Sequence, residues 1–262
     1  MTGNALQVRR GRIQFPQRLT RATVVRRRNR FVIDVDLDGV VVGCHCPTTG
    51  RIGTLILDGL PCLVSASHNS ARITPYTVEA ISVDTAGART RRWIGINQNA
   101  ANRFVEAALT HQMLVDMVFV DTLQREKVLG ASRLDFLVNS HIYIEVKTPL
   151  DNLQVPLGAH VQTRPYPPLA ATDRLVRHIG ELGDSLAAQQ RAILLLCFLY
   201  DNPGFVVQAS RHADAVKASV DKAIGQGVEL WQVNFTLNPI GAQLASYHEL
   251  TPQFAVQPPD PR

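Results

Sequence analysis

A chain of 262 residues with 45% hydrophobic and 19% charged residues has enough material for one large core or two small ones. Its longest apolar run, AILLLCFLY at 192–200, falls short of the roughly 18 residues of a membrane span. The basic N-terminus has no apolar stretch behind it, and the four irregularly spaced cysteines make no disulfide framework, so the expectation is a protein without a secretory signal, in the reducing cytoplasm.

The formal net charge of +5 is unevenly distributed. Nine arginines and no acidic residue lie between residues 9 and 30, with Arg26, Arg27, Arg28 and Arg30 closest together. Such a block attracts a polyanion by releasing its counterions. The alternative is a general preference for arginine, since the chain has only four lysines; elsewhere, however, acids balance the arginines.

In chain order, RFVIDVDLDG alternates Phe31, Ile33, Val35 and Leu37 with Val32, Asp34, Asp36 and Asp38, the period of a half-buried strand, and Asp38-Gly39 supplies a turn. VVVGCHC (40–46), PTTGR, TLILDG and PCLVSAS continue a pattern of short strands, giving a small β-barrel of the OB kind over residues 1–82. The character then changes. NAANRFVEAALTHQML (99–114) carries a helical stripe of Phe104, Val105, Ala108 and Leu109, with Asn99 or Asn102 as its cap. LVDMVFV (114–120), RLDFLV (133–138) and HIYIEVK (141–147) read as strands, and 171–182 as a helix capped by Thr172. AILLLCFLY is a central strand covered on both faces, 212–227 a further helix, and VELWQVNF (228–235) the strand that closes the sheet. The expected architecture is α/β (α+β): residues 83–251 form a mixed sheet flanked by helices, and 252–262 a mobile tail.

The chemistry concentrates in HIYIEVK. Strand alternation puts His141, Tyr143, Glu145 and Lys147 on one face and Ile142, Ile144 and Val146 on the other. A two-residue turn at Asn139-Ser140 would set Asp135 opposite Ile144, on the wrong face, whereas a three-residue or bulged turn sets it opposite Glu145; the odd turn is expected. Two adjacent carboxylates repel and call for a cation, and Mg2+ (or Mn2+) favours oxygen ligands while keeping waters for exchange with a phosphate. Lys147 beside two anions stays protonated, as a charge stabiliser or water positioner. Glu106, on the preceding helix, is a candidate third carboxylate. The competing readings are an exposed strand carrying a surface ion pair, and a solvent-facing Glu106.

With these residues the chain resembles the sugar fermentation stimulation protein A family over residues 26–236. The matching segments are RRRNRF (26–31), HCPTTGR (45–51), ARITPYT (71–77), WIGINQNAANRFVEAAL (93–109), RLDF (133–136), YIEVK (143–147) and TDRLVRHIGEL (172–182). The resemblance implies a non-specific DNA-binding protein with an N-terminal OB-like domain and a second domain similar to PD-(D/E)xK nucleases. Asp135, Glu145 and Lys147 are then the active-site set and Glu106 an upstream acid. Arg51 and Arg72 are further candidate nucleic-acid contacts, while Arg174, Arg177 and His178, together on one helix, either line a phosphate site or form a solvated helical face. Thr48 stands where the family has Asn, Ile73 where it has Lys, and Leu169 and Leu175 replace an acid and a glycine, which marks a divergent member.

Cys44-His45-Cys46 directs only its two cysteines to one side of a strand and has no second ligand pair, so no zinc is expected. Trp93 is either a base-stacking platform or, within WIGI, a core residue. The expected function is binding of nucleic acid, DNA ahead of RNA, with magnesium-dependent phosphodiester hydrolysis. The alternatives are a non-catalytic DNA-binding regulator using the same fold, and a scaffold whose basic arm meets RNA or a partner. A homo-oligomer is left open.

Overall fold

The computed structural model describes residues 6–69, 71–85, 87–129, 132–151, 153–165, 182–183, 186, 190–205 and 213–254. Five strands make the barrel: β3 (Thr20–Arg27), β4 (Val32–Leu37), β5 (Val40–His45), β6 (Pro61–Ala66) and β7 (Tyr76–Ile81). β4 and β5 meet at Asp38-Gly39, whose φ angles of 52° and 85° are those a two-residue hairpin turn requires. β3 pairs with β4 and β6, β6 with β7, and the parallel pairing of β5 with β7 at Cys44–Tyr76 and His45–Thr77 closes the ring, with the short β8 (Ile94–Gly95) added alongside β7. Val24, Ile33, Val35, Cys44, Cys62, Val64 and Val78 fill it. TLILDG, expected as a strand, is loop: Leu55 and Leu57 are buried, but only Leu55 makes a bridge, to Thr163.

A second, eight-stranded sheet runs β1 (Gln7–Arg9), β2 (Arg12–Gln14), β14 (Gly241–Glu249), β13 (Val228–Asn238), β12 (Arg191–Phe198), β11 (Ile142–Lys147), β10 (Ser132–Val138), β9 (Leu123–Leu129). β11, β12 and β13 are parallel, and antiparallel strands flank them on both sides. β12 is the expected central strand, with Ala192–Phe198 buried throughout. Helix α1 (Gln98–Thr110) lays Phe104, Val105, Ala108 and Leu109 over Phe136, Ile144, Ile193, Val233 and Phe235. Each such large side chain contributes about 1.5–3 kcal/mol on leaving water. Tyr143, Leu194, Leu196 and Phe198 face the other way, into a cluster shared with the barrel and with helix α2 (Ala213–Gly225). Among the described residues no helix is long and apolar enough to cross a membrane.

Four expectations are corrected. Residues 1–82 do not all belong to the barrel: the β1–β2 hairpin joins β14, with Ile13 buried beneath α1. Gly241 permits this approach, because a Cβ there would strike the Ile13 carbonyl oxygen. Residues 114–120 form no strand; Met117 and Val118 donate back to the Leu114 carbonyl, so the buried Leu114, Met117 and Val118 follow helical rather than alternating spacing. The strand in this region is β9, too polar to announce itself. Residues 228–235 do not close the sheet, since β14 and the N-terminal hairpin lie beyond β13. The cap of α1 is Asn97, whose side chain accepts from Asn99 N and Ala100 N, rather than Asn99 or Asn102. The expected helix at 171–182, apart from Leu182, and the tail beyond Phe254 lie outside the described residues.

Candidate active site

β10 and β11 are joined by Asn139, Ser140 and His141, with Val138 paired to Ile142. Asn139 and Ser140 take φ angles of 50° and 63°, and the Asn139 side chain secures the turn by accepting from Asp121 N and Thr122 N and donating to Phe119 O. The turn thus has the odd length expected. The ladder runs through Leu137–Tyr143 and ends at Phe136–Ile144; beyond it Asp135 lies close enough to Glu145 to feel its charge.

There the Asp135 carboxylate replaces the backbone as partner. Its Oδ2 accepts Val146 N–H at 2.8 Å, and its Oδ1 accepts the Asn102 amide at 2.6 Å. Burial and the neighbouring Glu145 push Asp135 up to about 6, against the Val146, Lys147 and Asn102 contacts that pull it down. Glu145 is 5% exposed and is bonded to Lys147, two residues along the same strand face. The pair is therefore no surface ion pair. β11 is an interior strand, and a carboxylate is carried where an apolar side chain would pack.

Glu106 does not join the pair. It lies one turn beyond Asn102 on α1 and meets Arg125 of β9 at 3.1 Å. Among the described residues no third Asp, Glu, His or Cys gathers with Asp135 and Glu145. Sequence reading missed the role of Asn102, which it weighed only as a cap. The available signal was its spacing: Gln98 and Asn102 stand one turn apart, and the Gln98 amide donates to Thr148 O just past β11.

The arginine block is divided between the two sheets. Arg9 and Arg12 lie on the N-terminal hairpin, while Arg18, Arg21, Arg26, Arg28 and Arg30 are exposed on or beside the barrel. Arg26 and Arg28 converge on Asp34, whose side chain is 3% exposed while theirs are 64% and 53%. Burial raises the Asp34 carboxyl, but the two guanidinium groups outweigh it and hold Asp34 below its ordinary value. Arg27 points inward and donates to the carbonyls of Thr48 and Gly50, fixing the HCPTTGR loop. Arg30 stacks on Phe31 at 4.7 Å, and Arg72 reaches Thr74 and Thr77. Arg51 is half-buried in the same loop. Arg174, Arg177 and His178 lie outside the described residues. Trp93 is buried, so it offers no face to a base, and Cys44 and Cys46 are buried, with burial pushing the Cys44 thiol up to about 12.

Comparison with known proteins agrees with this architecture. Residues 25–96 match the family described as the SfsA N-terminal OB domain, and residues 99–241 the Sugar fermentation stimulation protein RE domain. The chain is 31% identical over 254 residues to the sugar fermentation stimulation protein homolog of Methylorubrum extorquens, covering 94% of this chain and 98% of that one. It is 31% identical over 224 residues to the homolog of Saccharophagus degradans, covering 83% and 91%. Its fold is similar to that of Pyrococcus furiosus SfsA, solved in complex with Ca2+, at a TM-score of 0.66 and 19% identity over 90% of this chain and 96% of that one.

Proposed function

The chain belongs to the sugar fermentation stimulation protein family, and on that footing we propose that it binds DNA through its arginine-bearing barrel and hydrolyses phosphodiesters at Asp135 and Glu145 with a divalent cation. Membership by itself supports a nucleic-acid-related role; the remainder is our reading of the residues. The observation that carries it is the Asp135 carboxylate, held beside the buried Glu145 and raised to about 6 in consequence. Such a pair is costly to keep ionised without a cation, and its hard oxygen donors fit Mg2+ or Mn2+. The similar Pyrococcus furiosus structure was solved in complex with Ca2+, which supports a divalent cation in this reading.

The residues divide the work. Asp135 and Glu145 would hold the cation, with Val146 N–H and Asn102 orienting Asp135. The cation would supply Lewis acidity and a more acidic bound water. Lys147 adds a positive charge beside the phosphate. The three side chains alone total −1 and would repel a phosphodiester; one divalent cation brings the sum to +1.

A second reading, DNA binding without turnover, is favoured by Glu106, which pairs with Arg125 and leaves the site two carboxylates among the described residues. Incubation with labelled single- and double-stranded DNA and RNA in Mg2+, Mn2+ or EDTA separates the two readings. Metal-dependent cleavage that disappears in Glu145→Ala supports hydrolysis. Binding without cleavage in both proteins leaves the binding module alone.

A further inference from the structure

A cavity of about 170 Å3 opens where the segment after β2, the barrel and α1 meet, and none of its lining residues belongs to the Asp135–Glu145 pair. Its apolar side includes Phe15 and Phe104, stacked with ring centroids 5.9 Å apart. Glu79 of β7 supplies a wall. Its Oε1 accepts the Ser65 hydroxyl at 2.6 Å and its Oε2 the Asn97 amide at 2.7 Å. The carboxylate is thereby fixed in place, and each oxygen keeps a second lone pair for a donor inside the cavity. Two further lining residues, Arg103 and His68, are exposed, and Arg103 forms no ion pair with a described residue.

The combination is selective in its chemistry. A cavity of about 150 Å3 takes a benzene-sized ring, so this one takes a single six-membered ring. A plain hydrocarbon would leave the Glu79 carboxylate facing carbon, and a free phosphate would leave the apolar surface wet. A ring bearing N–H donors and attached to an anion satisfies all three surfaces. We propose that this cavity seats a pyrimidine nucleotide, the base donating to Glu79 and the phosphate resting on Arg103 and His68. The proposal rests on the nucleic-acid reading above and names a subsite for it. Arg103 also follows Asn102, whose amide holds Asp135, so the bound nucleotide lies against the same helical turn that supports the carboxylate pair.

The test is calorimetric titration of the full chain with cytidine monophosphate and with ribose 5-phosphate, which lacks the base. The variants are Arg103→Gln and Ala66→Trp, the latter filling the cavity from an exposed lining position. Cytidine monophosphate is expected to bind at least about tenfold more tightly than ribose 5-phosphate, the order of one base contact. Arg103→Gln should weaken it about tenfold, and Ala66→Trp should remove it. Equal binding of the two ligands, no binding of cytidine monophosphate, or affinities unchanged in both variants would overturn the subsite. A labelled single-stranded oligonucleotide is titrated into the same proteins. If it fails to bind any of them, the broader nucleic-acid reading falls; if it binds while cytidine monophosphate does not, only the cavity proposal falls.

Discussion

Asp135 Oδ2 accepts the backbone N–H of Val146 at 2.8 Å, where the antiparallel ladder of β10 and β11 would otherwise have continued in backbone bonds. The carboxylate is thus part of the sheet as well as part of the site. It is held there at a cost, because burial and Glu145 both oppose its ionisation.

That cost has a sign that can be measured. A carboxyl at 3.8 in the unfolded chain and about 6 in the folded one destabilises the native state as pH rises between those values, by about 3 kcal/mol once both states are ionised. Asp135→Asn keeps an acceptor for Val146 N–H and removes the charge. In the absence of divalent cations it is expected to be more stable than the parent above pH 6, by up to about that amount, with the difference fading near pH 4. Urea titration at several pH values would decide it, and a variant less stable than the parent at pH 7.5 would count against the burden assigned to Asp135.

Divalent cation should reverse the order of the two proteins. Added Mg2+ or Ca2+ is expected to raise the melting temperature of the parent above pH 6 and to leave Asp135→Asn unchanged, since a ligand that binds only the folded state stabilises it by mass action. The same cation added at pH 5, where Asp135 is protonated, should do much less. Differential scanning calorimetry with and without EDTA reads this directly.

Lys147 contacts Glu145, so its charge competes with a cation for the same carboxylate. Lys147→Met is expected to tighten divalent cation binding, because the remaining pair carries −2, while slowing any phosphodiester cleavage by about 100-fold through loss of a positive group at the phosphate. Calorimetry and cleavage rates moving in opposite directions would support this role. Weakened cation binding would contradict it.

Arg28 is partly neutralised by Asp34, whereas Arg18 and Arg21 are exposed and make no ion pair with described residues. Replacing Arg28 with Ala should therefore act mainly on stability, by about 2 kcal/mol for a charged hydrogen-bond partner lost to a buried carboxylate. This loss should be present at neutral pH and shrink as Asp34 is protonated in acid, because its folded-state value is depressed. Replacing Arg18 or Arg21 should leave stability unchanged and lower the salt dependence of DNA binding by about one counterion each. A reversed pattern in denaturant and salt titrations would show that Asp34 does not engage Arg28 in solution.

Gly241 lets the N-terminal hairpin reach β14. Gly241→Ala is expected to destabilise the protein by about 1–3 kcal/mol through backbone displacement, with Ile13 losing its place under α1. Hydrogen exchange should show the loss concentrated in β2 and β14, and uniform protection would argue against it.

Much of this protein was legible in its residues because the relevant physics is local. Alternation in RFVIDVDLDG and the turn at Asp38-Gly39 are properties of a few consecutive residues, and so is the apolar run of β12. The pairing of Asp135 with Glu145 could be reached in advance because two strands joined by one short turn have only two faces to choose between. What failed depended on distant partners. Residues 114–120 have the apolar content of a strand, but burial beneath the sheet made them turns, while the polar β9 is a strand only because β10 offers it a ladder. The N-terminal arginines read as one basic block, yet the β1–β2 hairpin docks through β2 on a strand more than two hundred residues away. Asn102 acquired its role only once Asn97 had taken the cap and turned Asn102 toward β10. The sequence alone determined three of the barrel strands (β4, β5 and β6), the central strand and the carboxylate–lysine set, each carried by local periodicity and spacing. Only the tertiary structure decided that Glu145 is buried, that Arg27 points inward and that Glu106 belongs to Arg125, because burial and charge pairing depend on which surfaces the folded chain brings together.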